Sequence, residues 1–483
     1  MKGDAMAQGF RLRDRIVPLT ALIAIVVGCG LLRLVVVLVA PAEVSIFAPD
    51  EAAYTDIIGF AKSGGDWAAY QLGYGAGFWP QGRALLVPAL GLMYVGLEAI
   101  HALRVVSVLY STGSALLLVV ILWIAMRRGR YPSDATGPRL ISWPMLGIGV
   151  FLLLPSHALW NSLALREAAT EFWVLASVAL SATLFAFSLR WWQKALVSAG
   201  IAVCVAMAFQ SRGYMAVALS LALAAAVVWL GRERPRFSIA LATAVVAGTI
   251  VGLTLSLPAT VPEPIPAAGQ PPSPGMAQPP SPSVLDSLRQ GVSAAPSKLN
   301  PDVYLERGSY QREVSAQYAN SAIATDSCAG VPDPRSLRLC EITRLPGAAF
   351  AVMFRPLWPL DTPTQWSGLA VAASIENVAW LALAIAVIYV LAARRSQLTR
   401  VLWICLAYGG LLIAGMAALE GNFGTAFRHK SNALWVLTLV LVLAGTRRFD
   451  PRVDRTVVLE RSSEAPTDSV APMAQQGPPP ASM

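Results

Sequence analysis

The sequence predicts an all-α polytopic membrane protein of about ten to eleven transmembrane helices, with a large first outer loop and one long outer loop. Three observations carry that expectation. Only 13% of the 483 residues are charged and 55% are hydrophobic, where a soluble domain has about 25% charged residues. Mean hydropathy is +0.57. The apolar residues gather in runs of spanning length, and Lys and Arg gather in short loops beside them. The net charge of +9 is therefore a topology signal, and no nucleic-acid partner is expected.

The first run, 17–40, follows Lys2, Arg11, Arg13 and Arg15 and is too long for a signal-peptide core. It predicts a signal-anchor helix behind a cytoplasmic N-terminus, 1–16. Further runs lie at 103–126, 140–156, 168–189, 195–210, 214–231, 237–257, 367–393, 400–419 and 431–446, with a shorter one at 84–100. Basic loops such as Arg127-Arg128-Gly129-Arg130, Arg232-Glu233-Arg234-Pro235-Arg236, Arg394-Arg395 and Arg447-Arg448 belong on the cytoplasmic side. All agree with one topology if 84–100 is re-entrant or lies on the surface. The plasma membrane then holds a multi-pass chain with both termini in the cytoplasm.

This topology divides the chain. Residues 17–257 form an N-terminal transmembrane module with outer loop 41–102, and 367–446 a C-terminal one. Residues 258–283, with Pro264-Ile265-Pro266 and Pro279-Pro280-Ser281-Pro282, read as a flexible or polyproline-like tether. Residues 284–366 form an outer loop, partly helical, with a short amphipathic piece around Arg355. Residues 447–483 read as a disordered cytoplasmic tail. Cys328 and Cys340 share the long loop with eleven residues between them, and on an oxidising side they are expected to form a disulfide. Cys29, Cys204 and Cys405 fall in apolar runs and read as core residues.

Several chemistries are excluded. There is no CxxC or Cys/His metal spacing, and His101, His157 and His429 lie far apart in sequence. No Gly-rich phosphate loop, Ser/His/Asp order or dinucleotide fingerprint is present.

Three constellations fall on the expected outer face. Asp50 and Glu51 follow the first run by about ten residues, with Tyr54, Asp56, Trp67, Tyr70, Tyr74 and Trp79 after them. A carboxylate there can take a proton from a hydroxyl or hold a cation. The bland alternative is a solvated acidic loop with belt aromatics. The second is Trp160-Asn161-Ser162-Leu163-Ala164-Leu165-Arg166-Glu167, with Glu171 one turn further. An ionisable residue at that depth faces a cavity or a partner. The third is Glu420-Gly421-Asn422-Phe423-Gly424-Thr425-Ala426-Phe427-Arg428-His429-Lys430, expected as a loop. Its glycines allow close backbone approach, and its cations suit an anionic ligand or lipid headgroups. Arg212, Arg344 and Arg355 are further outer cations, while Arg33 and Arg104 lie within or beside apolar runs.

These segments resemble the membrane glycosyltransferases of the GT-C superfamily, in the bacterial branch related to the dolichyl-phosphate-mannose protein mannosyltransferases. The likeness rests on Pro49-Asp50-Glu51-Ala52-Ala53-Tyr54, on Gly77-Phe78-Trp79-Pro80 with Leu103-Arg104-Val105-Val106-Ser107, and on the second and third constellations. It spans roughly residues 16–446, and each motif is short. The resemblance implies a GT-C-like bundle and an inverting sugar transfer from a polyprenyl-phosphate donor to a glycan or lipid-linked acceptor of the cell envelope. It implies Asp50 as base or ligand of a divalent cation, Mg or Mn, with Glu51 as catalytic partner. Tyr54, Arg166, Glu167, Arg212, Asn422, Arg428 and His429 are then the substrate-binding candidates. Arg166-Glu167 stands where many relatives carry Asp, and no large soluble C-terminal domain is expected. Two other activities suit the same outer face: a transporter or flippase of a lipid-linked or anionic substrate, and a polysaccharide polymerase or ligase. A non-catalytic scaffold is the remaining reading.

Overall fold

The structure is a computed structural model of the chain. It describes residues 2–45, 48, 50–64, 78–128, 143–231, 235–256, 312, 328, 331, 333–357, 368–394, 400–421 and 423–445. The expected tether 258–283, nearly all of the loop at 284–332, the tail 447–483, Asn422, Trp67, Tyr70, Tyr74 and the Trp79 side chain lie outside the described residues.

Every regular element among the described residues is helical. Helix α1 (Lys2–Val39) already includes the expected cytoplasmic N-terminal segment. Leu31, Leu32, Val35, Val36 and Val39 are more than half exposed on it, as lipid-facing side chains are. Helices α2 (Asp50–Lys62) and α3 (Phe78–Tyr94) follow, then α4 (Ala99–Arg128). Helix α3 does not run the length of α4. It folds back on its first turns, where Tyr110 Oη donates to Ala84 O at 2.7 Å. Gly96 takes a positive φ of 108° in the connecting turn, which a side chain would strain.

Helices α5 (Trp143–Leu153) and α6 (Pro155–Trp160) come next, then α7 (Glu167–Ala186), α8 (Trp191–Phe209), α9 (Gly213–Gly231) and α10 (Pro235–Ser256). The last group is α11 (Pro334–Phe354), α12 (Gly368–Arg394), α13 (Arg400–Leu419) and α14 (Phe423–Lys430). Helix α14 passes through a 3-10 turn, Ser431–Ala433, into α15 (Leu434–Gly445).

Seven helices are long and apolar enough to cross a membrane, and α3 and α9 contain shorter apolar stretches. The chain is thus an α-helical multi-pass membrane protein, with fewer full-length spans among the described residues than the ten to eleven expected. Two expected spans are interrupted. The run at 140–156 breaks at Leu154, because Pro155 lacks an N–H and starts a new helix. The run at 431–446 is the second half of a unit that begins at Phe423 and passes through the 3-10 turn.

Packing follows small residues. Gly248 and Gly252 lie one turn apart on α10, against Ala202, Val205 and Phe209 of α8; a Cβ at Gly248 would sit 2.5 Å from Ala202 O. Helix α7 packs between α4 and α8, and α13 lies against α9 and α11. Trp435 of α15 stacks on Tyr408 of α13 with centroids 5.6 Å apart, both buried. The starts of α2, α7 and α9 meet the end of α13 and helix α14 at one end of the bundle.

Candidate active site

Asp50 and Glu51 open helix α2, where carboxylates oppose the helix dipole favourably. Neighbours on a helix point about 100° apart, so the two diverge. Glu51 turns inward and is fully buried. Its Oε1 accepts from Arg104 Nε at 3.0 Å and from the Ala164 N–H at 2.6 Å. Its Oε2 accepts from Arg104 Nη2 at 2.9 Å and the Ser45 N–H at 2.8 Å. Arg104 also donates to Pro41 O and Glu43 O, at 3.2 and 2.7 Å. This satisfied bidentate pair clamps the chain before α2 to α4 and to the turn before α7. The expected catalytic partner is therefore a buried structural group.

Asp50 turns the other way and keeps 41% side-chain exposure. Its Oδ2 accepts from Arg428 Nη1 at 2.9 Å. Arg428 lies on α14, and its Nε pairs with Glu167 Oε1 at 3.0 Å. Glu167, the first residue of α7, is fully buried. The same oxygen accepts from Arg212 Nη2 at 2.5 Å and stands 3.6 Å from His429 Nε2. Its second oxygen has no hydrogen-bond partner among the described residues.

His429 Nδ1 lies 2.5 Å from Glu420 Oε1 and 3.2 Å from Tyr214 Oη. Burial and the Arg212 guanidinium hold the His429 pKa below 6.5, against the pull of Glu420. The imidazole is then neutral at pH 7, with Nδ1–H donated to Glu420. Burial works to lower the Arg212 pKa, but Glu167, with Tyr214, Tyr54 and Glu420, carries it above its usual value. Burial raises the Glu420 pKa, but His429, Arg212 and Arg428 hold it below the ordinary value. The guanidinium of Arg166 lies 5.9 Å from the centre of the Tyr54 ring. Burial raises the Tyr54 pKa, so the phenol stays protonated.

The result is one chain of ionisable groups: Glu420, His429, Glu167, Arg428 and Asp50. It runs from the core to the exposed edge, with Arg212 alongside. Of the candidates read from sequence, the structure brings together Asp50, Glu167, Arg212, Arg428 and His429, with the Arg166–Tyr54 pair electrostatically close. Glu420, which opens the third constellation without being a site candidate there, and Tyr214, which was not singled out, complete the set. Tyr214 lies two positions after Arg212, and Glu420 stands nine before His429 in the same constellation.

The expected loop 420–430 is largely helix α14, because Phe423, Ala426, Phe427 and Lys430 recur at helical spacing. Gly421 does permit a close approach, by the backbone of Arg312 rather than a ligand: a Cβ there would lie 2.3 Å from Arg312 O. Lys430, expected among the outer cations, is fully buried. It donates to Asn377 Oδ1 and to Met353 O, and sits against the rings of Phe427 and Trp380. Cys328 and Cys340 are joined by a disulfide, with Cα atoms 6.0 Å apart. Arg344 and Arg312 both pair with Glu341 and donate to Ala417 O and Ala418 O. They thus cap the last carbonyls of α13.

A second buried polar set lies one turn below Glu167. Glu171 Oε2 stands 2.8 Å from His157 Nε2, and Asn161 Nδ2 reaches both. Glu171 therefore has a partner, as its depth requires.

A divalent cation does not fit this donor set. Asp50 is engaged by Arg428, Glu51 by Arg104, and Glu167 sits among guanidiniums that would repel a metal ion. No group of three or more His, Cys, Asp or Glu among the described residues is placed to hold one. The expected role of Asp50 as a metal ligand is not supported by its surroundings.

Fold and site define a multi-pass helical membrane protein with a partly buried network of arginines and carboxylates at one end of its bundle. Compared with protein-family models, curated proteins and solved structures, the chain matches none.

Proposed function

We propose that this chain is a glycosyltransferase of GT-C type. It moves a sugar from a polyprenyl-phosphate donor to a cell-envelope glycan or lipid-linked acceptor at the outer face of the plasma membrane, with inversion. The observation that carries the reading is the meeting of Asp50, Glu167, Arg212 and Arg428 from four separate chain segments. Guanidiniums hold phosphate oxygens through paired N–H groups. Arg428 and Arg212 keep 13% and 11% side-chain exposure, and a phosphate exchanges with the carboxylates that now hold them. Asp50 is the exposed end of the network and takes the acceptor's hydroxyl proton. The hydroxyl oxygen attacks the anomeric carbon from the face opposite the phosphate. The bond from that carbon to the phosphate oxygen breaks, and its electron pair leaves with the polyprenyl phosphate. No metal takes part in these steps. In this reading α9, the α5–α6 unit and the run 431–446 cross the membrane as well as the seven longer helices, giving ten crossings with both termini in the cytoplasm, and α14 stays at the outer face.

The test is transfer from a radiolabelled polyprenyl-phosphate sugar by the purified chain in nanodiscs, with an envelope-glycan acceptor. Wild type should transfer and Asp50→Ala should lose at least 100-fold. Full activity in a folded Asp50→Ala would end the assignment of Asp50.

One observation favours a second reading, a transporter or flippase. The Glu171–His157 pair is buried within the expected membrane region, where ionisable groups often line a substrate path. Translocation of the lipid-linked substrate across proteoliposomes without chemical change would select it.

A further inference from the structure

Helix α11 is 21 residues long and is not among the helices apolar enough to span a membrane. Its N-terminal half is anchored at the end of α13, where Arg344 reaches Ala417 O and Glu341 pairs with both Arg344 and Arg312. Its C-terminal end lies deeper. Lys430 donates to Met353 O at 3.4 Å, and Asn377 donates to Pro356 O at 2.8 Å. Asn377 is nine residues into α12, so at 1.5 Å per residue the end of α11 sits about 14 Å below the start of that helix. Half of a bilayer's hydrocarbon core is about 15 Å. The chain must then return to the first residue of α12, Gly368.

The two faces of α11 differ. Leu337, Ala348, Ala351, Val352 and Met353 are buried. Leu339, Ile342 and Phe350 are 65%, 66% and 45% exposed, on one face with the exposed Pro346. Arg335 and Arg338 are exposed in the first turns, at the shallow end of that face. Apolar side chains along the deep part with cations at the shallow end are the pattern of a helix set in one leaflet. Val371, Ile375 and Val378 of the flanking span α12 are exposed too.

We infer that α11 is a re-entrant helix that dips from the site end of the bundle to mid-bilayer, with Leu339, Ile342 and Phe350 against phospholipid acyl chains and Arg335 and Arg338 at the headgroup phosphates. The long connection between the two transmembrane modules is thereby a lipid-embedded element over Pro334–Phe354, not wholly an aqueous loop. The inference stands whether or not the chain transfers sugars.

The test uses the wild-type chain in nanodiscs of phosphatidylcholine and phosphatidylglycerol. Photoactivated phospholipids carry a diazirine either at the acyl terminus or in the headgroup, and labelled residues are mapped by mass spectrometry. The acyl probe should label the Ile342–Phe350 stretch at the level of the Ile375 region, and the headgroup probe should concentrate near Arg335 and Arg338. Hydroxyl-radical footprinting should leave Leu339, Ile342 and Phe350 at least five-fold less oxidised than in denatured chain. Free oxidation of those three with no acyl labelling overturns the inference. So does crosslinking of this face to a second copy of the chain in place of lipid.

Discussion

Asp50 Oδ2 and Arg428 Nη1 lie 2.9 Å apart although 378 residues separate them in the chain. The contact joins the first expected outer loop to the last. Arg428 is shared, because its Nε also faces Glu167. Two carboxylates therefore compete for one guanidinium at the edge of the site, and in the proposed reaction an arriving phosphate would compete with both.

The exposure of Asp50 sets the scale of a first prediction. At 41% side-chain exposure its ion pair is screened by water, and such pairs contribute about 0–1 kcal/mol. Asp50→Asn should leave the thermal unfolding midpoint nearly unchanged while transfer falls at least 100-fold. Arg428→Lys keeps the charge but loses the fork that spans two carboxylates. It should raise the donor KM at least ten-fold. Loss of folded protein on gel filtration in Asp50→Asn would show the contact to be structural.

Glu51 should behave in the opposite way. Glu51→Gln leaves Arg104 buried beside a neutral amide, and breaking a buried pair costs about 3–5 kcal/mol. The yield of monodisperse protein should drop, with any residual folded fraction transferring at near wild-type kcat. Glu51→Gln combined with Arg104→Met should recover part of the loss, because neither charge is then stranded. A stable Glu51→Gln that has lost only activity would return the residue to the catalytic set.

Glu167→Gln tests the hub. Oε1 of Glu167 faces Arg212, Arg428 and His429. Neutralising it leaves two guanidiniums at the core edge without their shared counter-charge, a loss of several kcal/mol on the scale of broken buried pairs. Unfolding of purified protein, followed by tryptophan fluorescence, should shift to lower temperature. Adding a soluble polyprenyl-phosphate analogue should restore more of the midpoint in Glu167→Gln than in wild type, because its phosphate supplies the missing anion. No difference between the two would count against phosphate binding at these arginines.

How much of this was legible in the sequence follows from what each feature depends on. The membrane class rests on long apolar runs, which composition exposes directly. Asp50, Glu167, Arg212, Arg428 and His429 could be named because ionisable groups are scarce in such a chain and stand out at the ends of apolar runs. The different roles of Asp50 and Glu51 could not, since adjacency in sequence does not show which way each residue faces around α2. Helix α14 was hidden because Gly421, Gly424 and three consecutive basic residues have the composition of a loop, while its helical spacing spans only two turns. Lys430 looked like an outer cation because burial of a lysine depends on Asn377, Met353 and Trp380, which are distant in the chain. The span count depended on Pro155 and on the 3-10 turn at Ser431–Ala433, local breaks that run length alone does not register.

His429 makes the stability of the site end depend on pH. In the fold, burial and Arg212 lower its pKa from 6.5, with Glu420 opposing. In the unfolded chain the imidazole returns to about 6.5. Between the lowered value and 6.5 the unfolded state therefore binds more protons than the native state. Stability then rises with pH across that window and is complete above it. Acidification below 6.5 should progressively destabilise the protein until the folded pKa is passed. The groups facing the imidazole are Glu420, Glu167, Arg212, Arg428 and Tyr214. Glu420 adds a drop of the same sign further down, because its own pKa is depressed in the fold. His429→Gln removes the first component and weakens the second, because His429 is first among the groups that lower the Glu420 pKa, leaving Arg212 and Arg428 to hold it down. Unfolding midpoints measured from pH 7.5 to 5 should fall more steeply in wild type than in His429→Gln, with the difference between the two slopes confined to pH values below 6.5. An equal slope in both proteins would place the acid sensitivity elsewhere. A shallower slope in wild type would mean that the two carboxylates outweigh burial and hold the folded imidazole in its charged form.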